Sequence, residues 1–189
     1  MRIVAGRHRG RRLVAPKGRT TRPTSDRVRE SLFNMLAHGN FDGCGDVFEG
    51  RQALDAFCGS GALGLEARSR GADHVVFMDN NAAAISAVRE NATLLNEGAS
   101  VICLVCDVTN PPAAEKSCSL VFLDPPYGGE LAVTALTALR EKGWLAPGAL
   151  CIVETAKNED FFLPPEFTPL KKRRSGIAQL HILRYTGTA

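Results

Sequence analysis

From residue 53 onward, short apolar runs alternate with segments in which apolar residues recur every three or four positions. The apolar runs predict strands at 53–57, 74–79, 100–107, 119–124 and 149–154. The segments between them predict helices at 61–71, 82–95 and 130–142. Apolar strands separated by helices indicate a parallel sheet that is covered on both faces. We therefore expect an α/β fold with a doubly wound, mostly parallel sheet, which a C-terminal hairpin described below would extend to seven strands.

The two ends of the chain depart from this alternation. Residues 3–14 predict two short strands, which would form a β-hairpin arm. A helix should follow the capping residues at 24–26 and bury Val28, Leu32 and Met35. The C-terminal segments on either side of Gly176 predict an antiparallel hairpin at one edge of the sheet. We expect a basic N-terminal arm at 1–22 and a single α/β domain, the catalytic one, at 23–189.

The charge of the chain is unevenly distributed. Residues 1–29 contain ten Lys and Arg residues against one acid, whereas the rest of the chain has 13 basic and 19 acidic residues. A basic arm on an acidic body favours a polyanionic partner, and nucleic acid is the leading candidate. The arginines expected to contact it are Arg7, Arg9, Arg11, Arg12 and Arg22. The second basic run, Lys171–Arg174, is either another phosphate contact or a solvated strand end.

Composition excludes several other classes. No apolar run approaches the roughly 20 residues that cross a bilayer, and the N-terminus lacks the apolar core of a signal peptide, so we expect a cytoplasmic protein without a membrane partner. Cys103 and Cys106 form a C-x-x-C within a predicted strand, and no second ligand pair lies nearby. We expect no metal site. We also expect a monomer.

A glycine-rich segment follows the first predicted strand of the alternating region. Gly59, Gly61 and Gly64 have the spacing of a nucleotide-binding loop, and Asp79 follows Gly59 by 20 residues at the end of the next strand. Glycines allow the backbone to approach a ligand closely, and an acid at a strand end can accept hydrogen bonds from ribose hydroxyls. This pattern fits NAD as well as S-adenosylmethionine.

Two further acids favour S-adenosylmethionine. Asp55 precedes the glycines, where a pyrophosphate would resist another negative charge, whereas a sulfonium and an amine would benefit from it. Asp107 ends the third strand and could accept a hydrogen bond from an adenine amino group. Three strand ends with carboxylates are therefore typical of a pocket for a cationic nucleoside.

The sequence DPPY follows the fourth strand and places Asp124 beside this pocket. Pro125 and Pro126 stiffen the turn and remove two N–H donors, so that the turn presents acceptors, and Tyr127 offers a face for stacking on a base. Asp124 and the Pro125 carbonyl could together hold an exocyclic amine in line with a methyl donor. In isolation, the same residues could form a simple turn at the end of a strand.

These motifs resemble class I methyltransferases that act on exocyclic amines. The segments RIVAGRHRGRRL, RPTSDRVRESLFNML, LDAFCGSGALGLEARSRGA and FLDPPY are similar to those of the RsmD family of 16S rRNA guanine-N2 methyltransferases. The resemblance covers essentially the whole chain. It implies a Rossmann-like fold, S-adenosylmethionine as cofactor, and the small ribosomal subunit or its assembly intermediate as partner. It implies a cofactor site of Asp55, Phe57, Gly59, Ser60, Gly61, Asp79, Asn80, Asp107 and Val108.

Three alternatives remain open at this point. The same chemistry could act on adenine N6 in DNA or RNA, because both targets present a planar amine. A dinucleotide oxidoreductase would explain the glycines but would leave Asp55 and DPPY without a role. A catalytically silent RNA-binding assembly factor would explain only the basic arm.

Overall fold

The computed structural model describes residues 1–16, 26–41, 46–126, 131–159, 161–175 and 177–187. The strands are β1 Gln52–Ala56, β2 His74–Asp79, β3 Val101–Val105, β4 Cys118–Leu123, β5 Leu145–Ala156, β6 Phe167–Ser175 and β7 Ala178–Tyr185. The helices are α1 Asp26–His38, α2 Ala62–Ser69, α3 Ala82–Leu94 and α4 Leu131–Glu141, with a 3₁₀ turn at Gly98–Ser100. Within this part of the chain, no helix is long and apolar enough to cross a membrane.

The strands form one seven-stranded sheet in the order β3-β2-β1-β4-β5-β7-β6. Strands β1 to β5 are parallel, β7 is antiparallel to β5, and β6 is antiparallel to β7. The chain winds outward from β1 through β2 to β3 and then returns to the other side of β1 as β4. The carboxyl ends of β1 and β4 therefore flank the switch point, where ligands bind in open α/β sheets. The predicted fold class is confirmed.

Both faces of the sheet are covered. One hydrophobic cluster joins α1, α2 and α3 to the sheet, and a second cluster joins α4 to the opposite face. The buried face of α1 is rotated from the prediction: Leu32 is buried with Phe33, whereas Val28 and Met35 are only half-buried. Arg29 is also fully buried, and it donates a hydrogen bond to the Asp26 carboxylate at 2.9 Å. This ion pair, together with a hydrogen bond from Arg29 to the Arg2 carbonyl, is why a charged residue can occupy the core side of the helix.

Strand β3 differs from the expectation that the strands are covered on both faces. It is an edge strand, and the side chains of Ile102 and Val105 are about half exposed. An apolar run by itself does not reveal whether its strand will lie at the centre of the sheet or at its edge.

The N-terminal arm reverses direction and packs onto the body. One antiparallel bridge joins Arg2 to Arg12, where the sequence predicted two short strands. Ile3 and Leu13 are buried in the same cluster as α1 and α2. The fully buried Glu66 carboxylate of α2 accepts hydrogen bonds from the backbone N–H groups at positions 4 and 5, at 2.8 and 3.0 Å. The proposed division at residue 22 lies outside the described residues.

Candidate active site

Four carboxylates lie on four adjacent strands at the carboxyl edge of the sheet. Asp79 ends β2, Asp55 lies near the end of β1, Asp124 follows β4, and Glu154 lies near the end of β5. Because Leu123 pairs with Val153, Asp124 and Glu154 are level with each other on neighbouring strands. We call these four residues the acidic edge. The sequence analysis identified three of them but missed Glu154, for which the only signal was its position at the end of an apolar run.

The interior end of the acidic edge is strongly desolvated. Asp55 is 1% exposed, and burial raises the pKa of its carboxyl well above the usual value. The Gly64 amide opposes this shift by donating a hydrogen bond at 2.8 Å, whereas the charges of Asp124 and Asp79 add to it. The carboxylates therefore repel one another at this site, and a cationic group placed among them would relieve the repulsion.

The same contact of Asp55 limits what the start of α2 can bind. Gly64 is the third residue of α2, and its N–H is one of the helix amides that lack a partner within the helix. In a dinucleotide site, such amides face a pyrophosphate. Here the buried Asp55 side chain already accepts the hydrogen bond of this amide, so the amide is not available to a phosphate. The geometry therefore disfavours the dinucleotide alternative.

The glycine loop adopts a left-handed backbone over several residues. Phe57, Gly59 and Gly61 have φ values of 60°, 53° and 75°, and the Gly61 N–H donates to the Cys58 carbonyl at 2.7 Å. A non-glycine residue rarely takes such a φ, so the strain at Phe57 marks a conformation that the surroundings impose. Phe57 is half-buried against the cluster on the α4 side.

The three glycines have different physical roles. A Cβ added at Gly64 would lie 2.5 Å from the Phe77 ring, and one at Gly61 would lie 2.9 Å from Val88. These two glycines allow α2 to pack closely on β2 and α3. A Cβ added at Gly59 would meet no atom within 4 Å. Gly59 therefore borders open space, and it is the glycine whose missing side chain leaves room for a ligand.

Asp79 connects this loop to the start of α3. Its Oδ2 accepts a hydrogen bond from the Gly59 N–H at 3.0 Å, and its Oδ1 accepts one from the Asn81 N–H at 2.9 Å. Asn81 in turn caps α3 by accepting a hydrogen bond from the Ala83 N–H. Each Asp79 oxygen has a second lone pair with which it can accept a hydrogen bond from a ribose hydroxyl. Asn80, between the two contacts, is exposed.

Asp107 and Val108 lie beyond β3, next to the end of β2. The Cys106 N–H donates to the Asp79 carbonyl at 3.1 Å, which holds this turn beside Asp79. Asp107 is exposed, and the side-chain and backbone hydrogen bonds from Thr109 lower its pKa. Val108 is buried in the cluster on the α4 side. Asp107 is thus ionised and accessible, while Val108 anchors the turn.

A buried asparagine, which sequence reasoning missed, joins the arm to the glycine loop. The Asn91 Nδ2 donates to the carbonyls of Ser60 and Val14 at 3.1 and 3.0 Å, and its Oδ1 accepts from the Val14 N–H at 2.7 Å. The Ser60 hydroxyl also contacts the Met1 sulfur at 3.3 Å. The available signal was a polar residue on the otherwise apolar face of α3, between Val88 and Leu95.

Asp124 borders a cleft between α1 and the sheet. Burial, followed by the charge of Glu154, raises the pKa of Asp124 to about 7. Pro125 is buried and Pro126 is exposed, whereas Tyr127 lies outside the described residues. The walls of the cleft are mainly apolar: its lining comprises Val28, Leu32, Leu63, Leu123, Asp124, Ile152, Glu154 and Leu180. The enclosed space is only about 10 Å³, so the cleft presents two carboxylates behind mainly apolar walls and would have to widen to admit a base.

The structure separates the arm arginines into two groups. Arg7 contacts the body, because its Nε lies 3.2 Å from the buried Glu97 carboxylate and its guanidinium also donates to the Arg68 carbonyl at 2.8 Å. Arg9, Arg11 and Arg12 are exposed. Their side chains form no ion pair with another described residue. Arg22 lies outside the described residues.

Neither cysteine nucleophile chemistry nor a metal cluster is indicated in this region. Burial raises the pKa of the Cys58 thiol, beside the glycine loop, well above its usual value, so it remains protonated. Within the described ranges, no group of three or more His, Cys, Asp or Glu residues is arranged to hold a metal ion.

The chain is similar to proteins of one family over nearly its whole length. The family described as Conserved hypothetical protein 95 matches residues 1–184. Ribosomal RNA small subunit methyltransferase D of Haemophilus influenzae is 37% identical over 96% of this chain and 92% of its own length. The Escherichia coli protein of the same name is 38% identical over 82% of this chain and 74% of its own.

A solved structure shows the same relationship. The chain superposes on yhhF from Escherichia coli, described as a methyltransferase, with a TM-score of 0.82 and 32% sequence identity, over 98% of both chains. The family match, the similar relatives and the shared fold agree with the resemblance identified from the motifs. The chain belongs to the Conserved hypothetical protein 95 family, the RsmD family of methyltransferases.

Proposed function

We propose that this protein transfers a methyl group from S-adenosylmethionine to the exocyclic N2 amine of a specific guanine in 16S rRNA of the small ribosomal subunit. The observation that carries the proposal is the acidic edge, which sets Asp124 beside the glycine loop and Asp55 beneath it. A cationic methyl donor and a neutral amine acceptor both suit this edge, whereas a phosphate does not.

The residues present fit S-adenosylmethionine. The open space beside Gly59 admits the ligand, and its cationic amine and sulfonium would relieve the repulsion between the carboxyl groups of Asp55 and Asp79. Asp79 would accept hydrogen bonds from the ribose hydroxyls, and Asp107 would accept one from the adenine amino group. Phe57, Ser60, Gly61, Asn80 and Val108 shape or border the site. When bound, this cofactor supplies a methyl group on an electron-poor sulfur, so positioning is the main task of the protein.

Asp124 acts on the target amine. Its carboxylate and the Pro125 carbonyl accept hydrogen bonds from the amine, which directs the nitrogen lone pair toward the methyl group. The bound cofactor would supply the methyl group to this nitrogen and leave as a neutral thioether, and one Asp124 carboxylate oxygen would receive the proton that the nitrogen releases. A pKa of about 7 suits a group that accepts a proton near neutral pH. Tyr127 stacks on the base.

The assignment to small-subunit rRNA draws on the relatives and on charge. The Haemophilus influenzae and Escherichia coli proteins are named as small-subunit rRNA methyltransferases. Arg9, Arg11 and Arg12 expose positive charge on the arm, as phosphate recognition requires. A guanine that is paired or stacked would have to be splayed out to enter the cleft. We further propose that the reaction takes place in the cytoplasm and that the protein acts as a monomer.

The direct test uses purified protein, labelled S-adenosylmethionine and two substrates: unmethylated small-subunit particles and the naked rRNA. We expect label in N2-methylguanosine after digestion of the RNA to nucleosides. N6-methyladenosine would support the alternative target while keeping the chemistry. Cofactor binding without any label in RNA would overturn the proposed substrate and favour an assembly factor.

Asp124→Ala tests the role of this carboxylate. We expect the variant to bind cofactor within about twofold of wild type and to lose at least 100-fold in turnover, as is usual when a positioned acid–base group is removed. Unchanged turnover would show that Asp124 does not take part in the reaction.

A further inference from the structure

Strand β6 presents a row of four cations at the far edge of the sheet. Lys171, Lys172, Arg173 and Arg174 are all exposed, and none forms an ion pair with another described residue. Other basic residues of this protein are paired: Arg68 contacts Glu97 at 2.8 Å, and Arg140 contacts Glu166. The charges of the β6 row are therefore available to an external partner.

The register of the sheet assigns two of these cations to the face that carries the cleft. Arg173 pairs with Leu180, and Leu180 pairs with Glu154, so the three residues form a row across β6, β7 and β5. Leu180 and Glu154 both line the cleft, and Asp124 continues the row on β4. Three strand spacings separate Arg173 from Asp124, or about 14 Å between their backbones. Lys171 pairs with Ile182 on the same face.

The other two cations belong to the opposite face. Lys172 pairs with His181 and Arg174 pairs with Gln179. The Phe161 ring lies 4.6 Å from the His181 ring, which locates His181 beneath the connection between β5 and β6. Burial, followed by the charge of Lys172, lowers the pKa of His181 to about 4, as expected if Lys172 lies on that face. Alternation along one strand thus divides four similar cations into two matched pairs.

We propose that Lys171 and Arg173 bind the phosphates of the RNA strand on either side of the target nucleotide, a role that Lys172 and Arg174 do not share. This inference rests on the proposed function. The acidic edge repels phosphate inside the cleft, so a nucleotide whose base enters must keep its backbone at the rim. Lys171 and Arg173 lie on the β7 side of that rim. They are about 7 Å apart along an extended strand, which lets each contact a different phosphate.

The experiment compares two double variants that remove the same charge from opposite faces of one strand. Lys171→Gln/Arg173→Gln is the test variant, and Lys172→Gln/Arg174→Gln is its matched control. The dissociation constant for unmethylated small-subunit rRNA transcribed in vitro is measured by filter binding without cofactor, over a range of salt concentrations. Thermal unfolding of both variants establishes that the sheet remains intact.

We expect the test variant to bind the rRNA about tenfold more weakly at physiological salt. The slope of log affinity against log salt should decrease in magnitude by about 1.4, for two lost contacts at roughly 0.7 each. The control should stay within about twofold of wild type. Equal losses of rRNA affinity in both variants would mean that the row contributes only general positive charge. An unchanged affinity in the test variant would mean that Lys171 and Arg173 do not contact the RNA. Either result overturns the proposal.

Methyl transfer by the wild-type protein is measured in parallel, so that the two proposals can fail separately. If wild type transfers methyl groups to the RNA while both variants bind normally, the proposed function stands and the phosphate surface is wrong. If the test variant alone binds poorly while wild type transfers no methyl group to either the rRNA or unmethylated small-subunit particles, the surface stands and the proposed reaction is wrong.

Discussion

The Asp79 carboxylate accepts a hydrogen bond from the Gly59 N–H at 3.0 Å, which ties the end of β2 to the glycine loop after β1. The two residues are 20 positions apart, the spacing by which the sequence paired them as parts of one nucleotide site. Asp79 therefore supports the loop before any ligand is present. Because its oxygens can each accept a further hydrogen bond, loop support and ligand binding are compatible in one carboxylate.

Gly59→Ala should weaken cofactor binding without unfolding the protein. The new Cβ would enter the open space beside the loop, and the left-handed φ of 53° would cost about 1 kcal/mol. We expect at least a tenfold loss of affinity for S-adenosylmethionine, measured by calorimetry. Gly143→Ala is the matched control, because Gly143 also has a positive φ and open surroundings but precedes β5, at the other edge of the sheet. Equal affinities in the two variants would contradict the assignment.

The rate of methyl transfer should fall as the pH decreases through about 7. Burial and the charge of Glu154 raise the pKa of Asp124 to about 7. Below that pH the carboxylate is protonated and can no longer accept the proton of the amine. Turnover at saturating substrate, measured from pH 5.5 to 9, should show a single acidic limb. A flat profile over this range would argue against an ionised Asp124 in the reaction.

Asp124→Asn should stabilise the fold at high pH while abolishing turnover. The folded-state pKa lies above the unfolded value of 3.8, so the wild-type protein is stabilised by protonation below pH 4 and loses that contribution as the pH rises through about 7. The neutral amide avoids this loss. A shift from 3.8 to about 7 corresponds to at most about 4 kcal/mol, so we expect a clear gain in the free energy of unfolding at pH 8, and little difference at pH 4, from urea titrations. A destabilised variant at pH 8 would contradict the assigned burial.

Glu154→Gln should move the acidic limb of the pH profile to lower pH. Removing the negative charge on β5 leaves burial as the remaining cause of the raised pKa of Asp124. We expect a displacement of about one pH unit with turnover at pH 8.5 largely retained. Glu115→Gln, an exposed carboxylate away from the acidic edge, is the control. Identical profiles for the two variants would show that Glu154 does not influence Asp124.

Asn91→Ala should destabilise the arm and the glycine loop together. The substitution leaves the Ser60 carbonyl and both backbone groups of Val14 without their side-chain partner. We expect a loss of about 2 to 3 kcal/mol in the free energy of unfolding and weaker cofactor binding. Glu90→Ala, on the exposed side of α3, should change neither quantity. Normal cofactor affinity in Asn91→Ala would show that the arm and the loop are independent.

The arginines of the N-terminal arm should have two different functions, RNA binding and stabilisation of the fold. Neutralising Arg9, Arg11 and Arg12 to Gln should weaken rRNA binding and reduce the salt slope by about 2, without a change in melting temperature. Arg7→Gln should instead cost about 0.5 kcal/mol of stability, because Arg7 pairs with Glu97, and should affect RNA binding less. Filter binding and thermal unfolding distinguish the two effects. A larger RNA defect in Arg7→Gln than in the triple variant would reverse the assignment.

Much of the fold could be predicted because it depends on local patterns. Apolar runs located each parallel strand within a few residues, and helical periodicity located α2, α3 and α4. The buried face of α1 was predicted less well, since Arg29 is buried through its partner Asp26, and a partner is not visible in the periodicity. The edge position of β3 could not be predicted either. The order of strands depends on how the connecting helices pack against the sheet, and the composition of a single strand does not reveal it.

By itself, the sequence determined the chemistry that is available at the carboxyl edge: a glycine loop, three strand-end acids and a rigid DPPY turn, all encoded within short segments. The tertiary structure alone decided which glycine faces open space, since side chains from other elements occupy the space beside the other two: Val88 beside Gly61 and Phe77 beside Gly64. Pairing across strands likewise placed Glu154 beside Asp124 and divided the β6 cations between two faces. Such relations join residues distant in sequence, and only the folded sheet brings them together.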